Sequence, residues 1–508
     1  MDDACSARVG LRPVCLLIGL GLLPAYGFAQ SPPVQLVGLG LTVSQHDDQT
    51  DGAGSESRAP GKPIAPSSPG ILSLADLEQM ALQGNPTLVQ AAANVDSARG
   101  REIQSGLYPN PTVGYNAEQL GLRGKAALGE QNGMFIDQTI VTAGKLRLNR
   151  ARFAQETAQA AFQAEAQQYR VLNGVRMRYY QLLAMQRLLD VRAELLKVAR
   201  DAVTTTEELV NVGAANKADL LQADIEAQQE KVALENARAL YQAAWEQLAA
   251  FVGEPGLPLA RLQGDVEAFA PLPDACTTLA HLLEASPEVR IAKAGIARGQ
   301  FALRREQVEP IPNVQLRVSS GYDFEEDGRR VTTTVNLGVR LPIFDKNQGN
   351  IRAAQGELMR AQAELGRVEL SLRQRLSRRY ARYRMAWSIV ENYRNISLPK
   401  AREAYELYLD SFRKRRAAWP QVLVAQRTYF QISVDYVEAL DELRRSEVAI
   451  LGLLLVDGLE EPPGPGESGR PQRGPESQAA DLPDPINRRQ GRSLENRAGT
   501  AGAGGGGG

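Results

Sequence analysis

Apolar residues recur every seven positions along both halves of the chain, and this pattern predicts long helices packed side by side. In the first half the series breaks near residue 211 and resumes at 220, so two helices joined by a short turn are expected. A sustained seven-residue period is typical of coiled coils. The positions are Val175, Leu182, Leu189, Leu196, Val203 and Val210, then Leu220, Ala227, Leu234, Tyr241 and Leu248, and in the second half Val422, Tyr429, Tyr436, Leu443 and Ile450.

A parallel seam on these helices consists mostly of small residues, which let helix backbones approach closely. The stretch 145–211 contains no proline and, at about 1.5 Å per residue, would be about 100 Å long. Such a helix must lie against others of similar length. In the second half, Pro399 should kink the helix that corresponds to 145–211, or shift its register. The small seam comprises Ala223, Ala237, Ala244 and Phe251, matched by Ala425, Ala439, Ser446 and Leu453.

Short segments ahead of the long helices alternate apolar and polar residues, which predicts two strands in each half. One apolar and one polar face over about ten residues suits a membrane barrel strand, although a hairpin on a soluble core has the same pattern. Four strands cannot close a barrel, and open edges are not tolerated in lipid. We therefore expect several copies to share one barrel. The apolar rows are Val113, Tyr115 and Ala117; Met134, Ile136 and Ile140, interrupted by Gln138; Val314, Leu316 and Val318; and Val335, Leu337, Val339 and Leu341.

The two halves of the chain repeat the same order of motifs. Asn85-Pro86 recurs as Ser286-Pro287 at a separation of 201, and Leu221-Gln222-Ala223 recurs as Leu423-Val424-Ala425 at 202. A register held over more than a hundred residues indicates structural duplicates, with a single small insertion between them. Residues 71–262 and 263–456 are the predicted repeats. Ser73 with Asp76 predicts a capping box at the first helix.

The ends of the chain differ in composition from the repeats. Arg8 and Arg12 precede an apolar run at 14–28, so residues 1–29 are predicted to be a signal peptide. Residues 30–70 are rich in Ser, Pro, Gly and Asp, and residues 457–508 end in a glycine run. We expect a disordered linker and a disordered tail, because neither segment has the apolar residues needed to pack.

Composition gives no support for catalysis, a metal centre or nucleic-acid binding. The net charge is −1. Removal of the signal peptide would leave Cys276 with His46 and His281, which are too few thiolates and imidazoles for a four-ligand zinc site. The carboxylate pairs Glu207-Glu208 and Glu325-Glu326 lie outside any apolar pocket pattern. We expect no cofactor and no enzyme activity. A run of arginines at 373–384 alternates with Leu372, Leu376, Tyr380 and Tyr383, which indicates one solvated helix face.

The ordered set of motifs resembles the TolC family of outer membrane efflux proteins. The resemblance rests on the duplication, on Asn85-Pro86, on Tyr108-Pro109-Asn110-Pro111 before the first strand, and on Asn211-Val212-Gly213 followed by the segment 219–223. It implies a mainly α protein with a small β part, in which three copies form a twelve-helix α-barrel and a twelve-stranded outer membrane β-barrel. It also implies a passive conduit that extends into the periplasm. Its partners would be outer membrane lipid, a periplasmic adaptor and an inner-membrane pump.

Two further interpretations concern cargo and fold class. The stretch 341–350 is similar to the heavy-metal, cobalt-zinc-cadmium branch of the family, but the sequence does not name the cargo. The alternative to a conduit is a periplasmic coiled-coil adaptor or structural protein. Adaptors normally hold one helical hairpin, whereas this chain has two equivalent hairpins.

The turns between long helices carry the candidate functional residues. The resemblance implies adaptor contact at Val212, Gly213 and Ala214, and at Arg415 and Arg416 of the second turn, where Arg415 takes the place of a glycine. Gly213 is expected to adopt a positive φ. Gln421 and Val424 stand where family members carry a ring of acidic residues. Asp219, paired with Arg416 or Arg415, is the candidate entrance gate, and a solvated aspartate at a helix start is the alternative.

Overall fold

The computed structural model describes residues 71–118, 131–325, 328–460 and 462–463. The predicted signal peptide at 1–29, the predicted linker at 30–70 and nearly all of the predicted tail lie outside these residues. Helices dominate the described part of the chain. They are α1 (Leu74–Gly84), α2 (Pro86–Ser105), α3 (Lys145–Asn211), α4 (Lys217–Val252), α5 (Ala275–Ala285), α6 (Pro287–Val308), α7 (Gln348–Asn392), α8 (Leu398–Arg413) and α9 (Trp419–Leu451).

In the described part of the chain, four strands form one antiparallel sheet in the order β2-β3-β5-β6. A parallel two-residue pair, β1 with β4, links the start of the first repeat to its end. The predicted apolar rows share one register, because Val113 pairs with Ile136, Ile136 with Val318, and Val318 with Val335. The strands are β1 (Ile71–Leu72), β2 (Thr112–Glu118), β3 (Gln131–Ile140), β4 (Arg261–Leu262), β5 (Val314–Glu325) and β6 (Gly328–Val339).

Local capping explains where the short helices begin. The Ser73 hydroxyl accepts from the Asp76 N–H while the Asp76 carboxylate accepts from the Ser73 N–H, so the predicted capping box is confirmed. Asn85 caps α2 through the Thr87 N–H, and Pro86 occupies the first helical turn, where its missing N–H costs nothing. The Asn85 amide also donates to the Phe251 carbonyl, which ties α2 to the end of α4.

The helix α3 is 67 residues long and packs against α2, α4, α6 and α9. Its counterpart in the second repeat runs over residues 348–413 as α7, a π-helical turn (Tyr393–Ser397) and α8. The turn directly precedes Pro399, whose ring cannot sit against a regular preceding turn, so the predicted register shift is confirmed. Every position of the predicted seven-residue series is buried or half-buried. Among the described helices, none combines the length and apolar character needed to cross a membrane.

The two repeats have the same order of helices and strands, but the prediction of a single insertion was wrong. The offset is 201 between Leu74 and Ala275, 203 between the starts of α3 and α7, and 202 between the starts of α4 and α9. Residues are therefore gained between the strands and the long helix and one is lost along that helix. Insertions in loops and a changed helix register cost little when the packed seams are retained.

The packed chain also continues past the predicted boundary at residue 456. The Asn173 side chain on α3 donates to the carbonyls of Gly452 (2.8 Å) and Leu455 (2.7 Å). Gln167, which precedes Asn173 on α3, donates to the Gly458 carbonyl at 3.0 Å. A tail from residue 457 was expected from composition, but the buried Gln167 amide holds Gly458 on α3, because buried backbone carbonyls need hydrogen-bond partners.

Candidate functional site

One face of the four-stranded sheet consists of exposed apolar side chains. Val113, Ile136, Val335 and Leu337 all lie on this face, and Leu337 is 71% exposed. Gln138 interrupts the row, and its amide donates to the Pro109 carbonyl at 2.9 Å instead of projecting freely. A continuous exposed apolar face of this kind requires an apolar environment.

The opposite face of the sheet is polar and carries a charged cluster. Arg317 on β5 pairs with Asp137 on β3 at 3.2 Å and lies over the Phe135 ring at 4.5 Å from its centroid. Thr334 and Asn336 continue this face on β6. The alternation gives the sheet one face suited to lipid and one suited to water.

Both lateral edges of the sheet are unpaired within the chain. β2 pairs only with β3, and β6 pairs only with β5, among the strands that the structure describes. Each edge strand therefore presents a row of backbone N–H and C=O groups that need partners.

The helices have unpartnered edges on the same two sides of the chain. α4 packs mainly on α3, and its far side exposes Leu221, Ile225, Val232 and Leu240. On the opposite edge, α7 and α8 expose apolar residues along their length. These are Met385 and Ile389 on α7 and Leu407 on α8.

The first tip, which is the turn at residues 211–216, has the geometry predicted for it. Gly213 has φ of 69°, and the N–H groups of Gly213 and Ala214 donate to the carbonyls of Val210 (2.9 Å) and Leu209 (2.7 Å). This is the left-handed ending that closes many helices. Val212 is 66% exposed and nothing lies within 4 Å of a Cβ placed on Gly213. The apex is therefore open to a partner.

Asp219 has a defined structural role at the first tip. Its N–H donates to the Asn216 side chain at 2.9 Å, and its carboxylate accepts from the Asn216 N–H at 3.4 Å, which makes a capping box for α4. Among the described residues, Asp219 forms no ion pair with Arg415 or Arg416. The gate therefore stays a prediction, which a single protomer does not test.

The second tip, at residues 413–418, has the same left-handed backbone turn as the first tip but different side chains. Arg415 has φ of 59°, and the N–H groups of Arg415 and Arg416 donate to the carbonyls of Phe412 (2.9 Å) and Ser411 (2.8 Å). Ala418 at the start of α9 has no side-chain oxygen, so only the Gln421 half of a capping box forms, at 3.3 Å. Arg415 stands in the glycine's place in the sequence, and its left-handed conformation was not predicted.

An aromatic cluster lies under the second tip. The rings of Phe412 and Trp419 are 5.3 Å apart, and both side chains are buried. Tyr405 stacks on Tyr429 one turn deeper, and burial raises the pKa of Tyr405 to about 12, so its phenol stays neutral. The cluster joins α8 and α9 to Ala202 on α3 and Ala223 on α4, which fixes the two tips relative to each other.

The remaining candidate residues of the sequence do not converge on a site. His281, Glu207 and Glu208 are exposed. In the arginine run on α7, Leu372, Leu376 and Tyr383 are buried. The predicted solvated face is confirmed for four of the six arginines (Arg373, Arg378, Arg382 and Arg384), whereas Arg375 and Arg379 are half-buried. No group of three or more His, Cys, Asp and Glu side chains within the described ranges has the arrangement of a metal site.

Comparisons with known proteins match nearly the whole folded part. A family model described as outer membrane efflux protein matches residues 77–254 and 278–454. The cobalt-zinc-cadmium resistance protein CzcC of Cupriavidus metallidurans is 26% identical over 413 residues, which are 81% of this chain and 97% of that protein. Protein CyaE of Bordetella pertussis is 25% identical over 334 residues, 62% of this chain and 70% of that protein.

Two solved structures share the fold. The outer-membrane channel OprN superimposes with a TM-score of 0.62 at 19% identity, covering 82% of this chain and 100% of that one. The outer membrane protein VceC of Vibrio cholerae gives a TM-score of 0.63 at 17% identity, covering 76% of this chain and 97% of that one. Both likenesses confirm the predicted architecture.

The unequal caps of α4 and α9 predict opposite effects of two substitutions. Asn216→Ala should destabilise the first tip by about 0.5–2 kcal/mol, because it removes the N-cap acceptor. Ala418→Asn should stabilise the second tip by up to about 1 kcal/mol, because it supplies the acceptor that α9 lacks. Hydrogen exchange of the first-turn amides of α4 and α9 measures both effects. Faster exchange at α9 in Ala418→Asn would contradict this account of the caps.

Proposed function

This chain belongs to the outer membrane efflux protein family, and we propose that three copies of it form one passive duct through the outer membrane and across the periplasm. The protein is an outer membrane channel component. The observation that carries the trimeric duct is the sheet, which has an apolar outer face and two unpaired edges. In lipid, each edge needs a strand of another copy, because the hydrocarbon offers no hydrogen-bond partners.

The strand number supports a trimer. One copy supplies four strands, which cannot close. Two copies would give eight, and the interior of an eight-stranded barrel is filled by side chains or one small ligand. Three copies give twelve strands and a lumen lined by the polar face, on which Asp137, Arg317 and Asn336 lie.

The helix edges support the same closure. The exposed apolar residues of α4 on one copy can pack on the exposed apolar residues of α7 and α8 on the next copy. This arrangement would continue the side-by-side order α4, α3, α9, α7–α8 around a ring of twelve helices, with the two segments α7 and α8 counted as one. Helices of about 100 Å then carry the lumen from the sheet across the periplasm.

We propose that the two tips contact a periplasmic adaptor, which couples the duct to an inner-membrane pump. The tips lie at the far end of the long helices, and Val212, Gly213, Arg415 and Arg416 are exposed there. The duct itself would have no catalytic activity, and energy would come from the pump. A periplasmic adaptor, the alternative interpretation, is disfavoured by the family match over both repeats.

For the cargo, we propose heavy-metal cations. CzcC is named for cobalt-zinc-cadmium resistance, and a second relative, the nickel-cobalt-cadmium resistance protein NccC, is 26% identical over 305 residues. The stretch 341–350 at the end of β6 carries the same resemblance at the level of sequence. The metal ion would be a transported solute and not a resident cofactor.

A matched pair of lysine substitutions tests the assignment of the two sheet faces. Leu337 lies on the apolar face and Asn336, its neighbour in β6, lies on the polar face. Leu337→Lys should cost up to about 2–4 kcal/mol per copy in the bilayer, whereas Asn336→Lys should be tolerated. The readout is the amount of heat-modifiable trimer in the outer membrane fraction and its conductance in planar bilayers. Equal yields of the two variants would refute the lipid-facing assignment.

The entrance gate has a test that spares the helix cap. We propose that Asp219 pairs with Arg415 or Arg416 in the assembled trimer. Asp219→Asn removes the charge but retains an oxygen that can accept from the Asn216 N–H. Single-channel conductance should rise in this variant and remain at the wild-type level in Glu208→Gln, which removes a nearby exposed charge. If Asp219→Asn conducts like the wild type, this pairing does not close the pore.

A further inference from the structure

We infer that the second tip, residues 413–418, and the groove between α8 and α9 bind a helical segment of a partner protein whose end carries carboxylates. The inference deepens the proposed function, on which it rests, by giving the partner a chemistry and by assigning its recognition to one of the two tips. It rests on differences in side chains between two turns that have the same backbone conformation.

The duplicated turn serves as an internal control for Arg415. The first tip makes the same left-handed ending with Gly213, at φ of 69°, that the second tip makes with Arg415, at φ of 59°. Glycine adopts this region freely, whereas an L-residue meets a steric penalty there. Folding of the turn therefore does not call for arginine. A strained, exposed residue that the turn does not need is a reason to look for a binding role.

The two tips also differ in the sign of their charge. Residues 207–219 carry Glu207, Glu208, Asp219 and Lys217, a net charge of −2, and the equivalent residues 409–421 carry Asp410 and four basic residues, a net charge of +3. The positively charged second tip therefore attracts a negatively charged partner and repels a positively charged one.

Two of the four basic residues are held within the chain. Lys414 pairs with Asp410 at 2.6 Å, and Arg413 donates to the Thr205 hydroxyl at 3.1 Å. Arg415 and Arg416 are exposed and form no ion pair among the described residues, although Glu207 and Glu208 lie on a helix of the same tip region. The proposed gate would engage only one of them with Asp219, so at least one of these guanidinium groups is available to an acidic partner.

A groove next to this turn supplies the apolar part of the surface. It has a volume of about 470 Å³, begins at Pro420 and Gln421, and runs between Ala401 on α8 and Val424 on α9. Val424 is 67% exposed. The corresponding depression between α3 and α4 is about 210 Å³ and is lined by charged residues that include Arg200, Asp224 and Lys231. Only the second tip thus combines a larger apolar groove with available cations.

The shape of the surface favours a helix over a lipid headgroup. A groove between two helices, with alanine on one wall, accepts an amphipathic helix whose apolar face fills it. The 67 residues of α3 run from Lys145 beside the sheet to the tips, so the second tip lies about 100 Å from the sheet and outer membrane lipid is remote. A partner helix in the groove would bring its carboxylates to Arg415 and Arg416.

The test uses designed hairpin probes and the purified full-length trimer. The probes are disulfide-closed helical hairpin peptides with four glutamates flanking the turn, or four glutamines at the same positions. Fluorescence anisotropy at low salt should show the glutamate hairpin binding about tenfold tighter than the glutamine hairpin, a preference that high salt reduces. Arg415→Gly combined with Arg416→Ala should abolish the preference while thermal stability is unchanged or higher, because glycine relieves the positive φ.

Two further variants distinguish the contribution of the arginines to hairpin binding from that of the groove and that of the first tip. Val424→Glu should weaken both hairpins, whereas Glu207→Gln with Glu208→Gln at the first tip should weaken neither. The inference is overturned if the two hairpins bind equally, or if phosphatidylglycerol vesicles bind the tip as well as the glutamate hairpin does.

Conductance of the wild-type protein and of Asp219→Asn in planar bilayers distinguishes this inference from the proposed function. If neither protein conducts, the duct itself fails and the docking inference falls with it. If either conducts but the wild-type protein shows no preference for the glutamate hairpin, only the inference fails.

Discussion

The architecture depends on the hydrogen-bonding edges of one small sheet. Among the strands that the structure describes, the outer strands β2 and β6 each present an unpaired row of backbone groups, and the face that joins them is apolar and exposed. In hydrocarbon, an unpaired backbone group costs several kcal/mol, so a row of them excludes a single inserted copy. Assembly is therefore part of the folding of this chain in its membrane. The long helices, whose own edges are apolar on the same two sides, extend that requirement to the periplasmic part.

Duplication gives the protein two versions of each element. Features present in both repeats are those that the fold requires, and features present in one repeat serve another purpose. Both repeats keep the capped short helix, the strand pair and the left-handed turn. They differ where a repeat carries something the fold does not require, as at the π-helical turn before Pro399 and at Arg415. The aromatic cluster of Phe412 and Trp419 anchors the second tip, so its basic apex stands on a rigid base.

The parts predictable from sequence were those governed by local periodicity and capping. Seven-residue spacing identified the buried seams, alternation identified the shared apolar face from Val113 to Val335, and Ser73 with Asp76 identified a capping box. Features set by contacts distant in sequence were missed. Asn173 holds the residues after α9, and Gln138 is accommodated by the Pro109 carbonyl, 29 residues away. At the tips, the motif located Gly213 and Asp219, but sequence alone did not show that Asp219 caps α4. Sequence alone also did not show that the basic residues of the second turn lie next to an apolar groove.

The central claim is that one copy cannot complete its own sheet and becomes a pore only with others. Native mass spectrometry of the detergent-extracted outer membrane protein tests this most directly, because it counts copies without assuming a shape. The account predicts a single dominant species of three chains, with no folded single chain. A stable one-chain species whose β2 and β6 amides are protected from hydrogen exchange would contradict it.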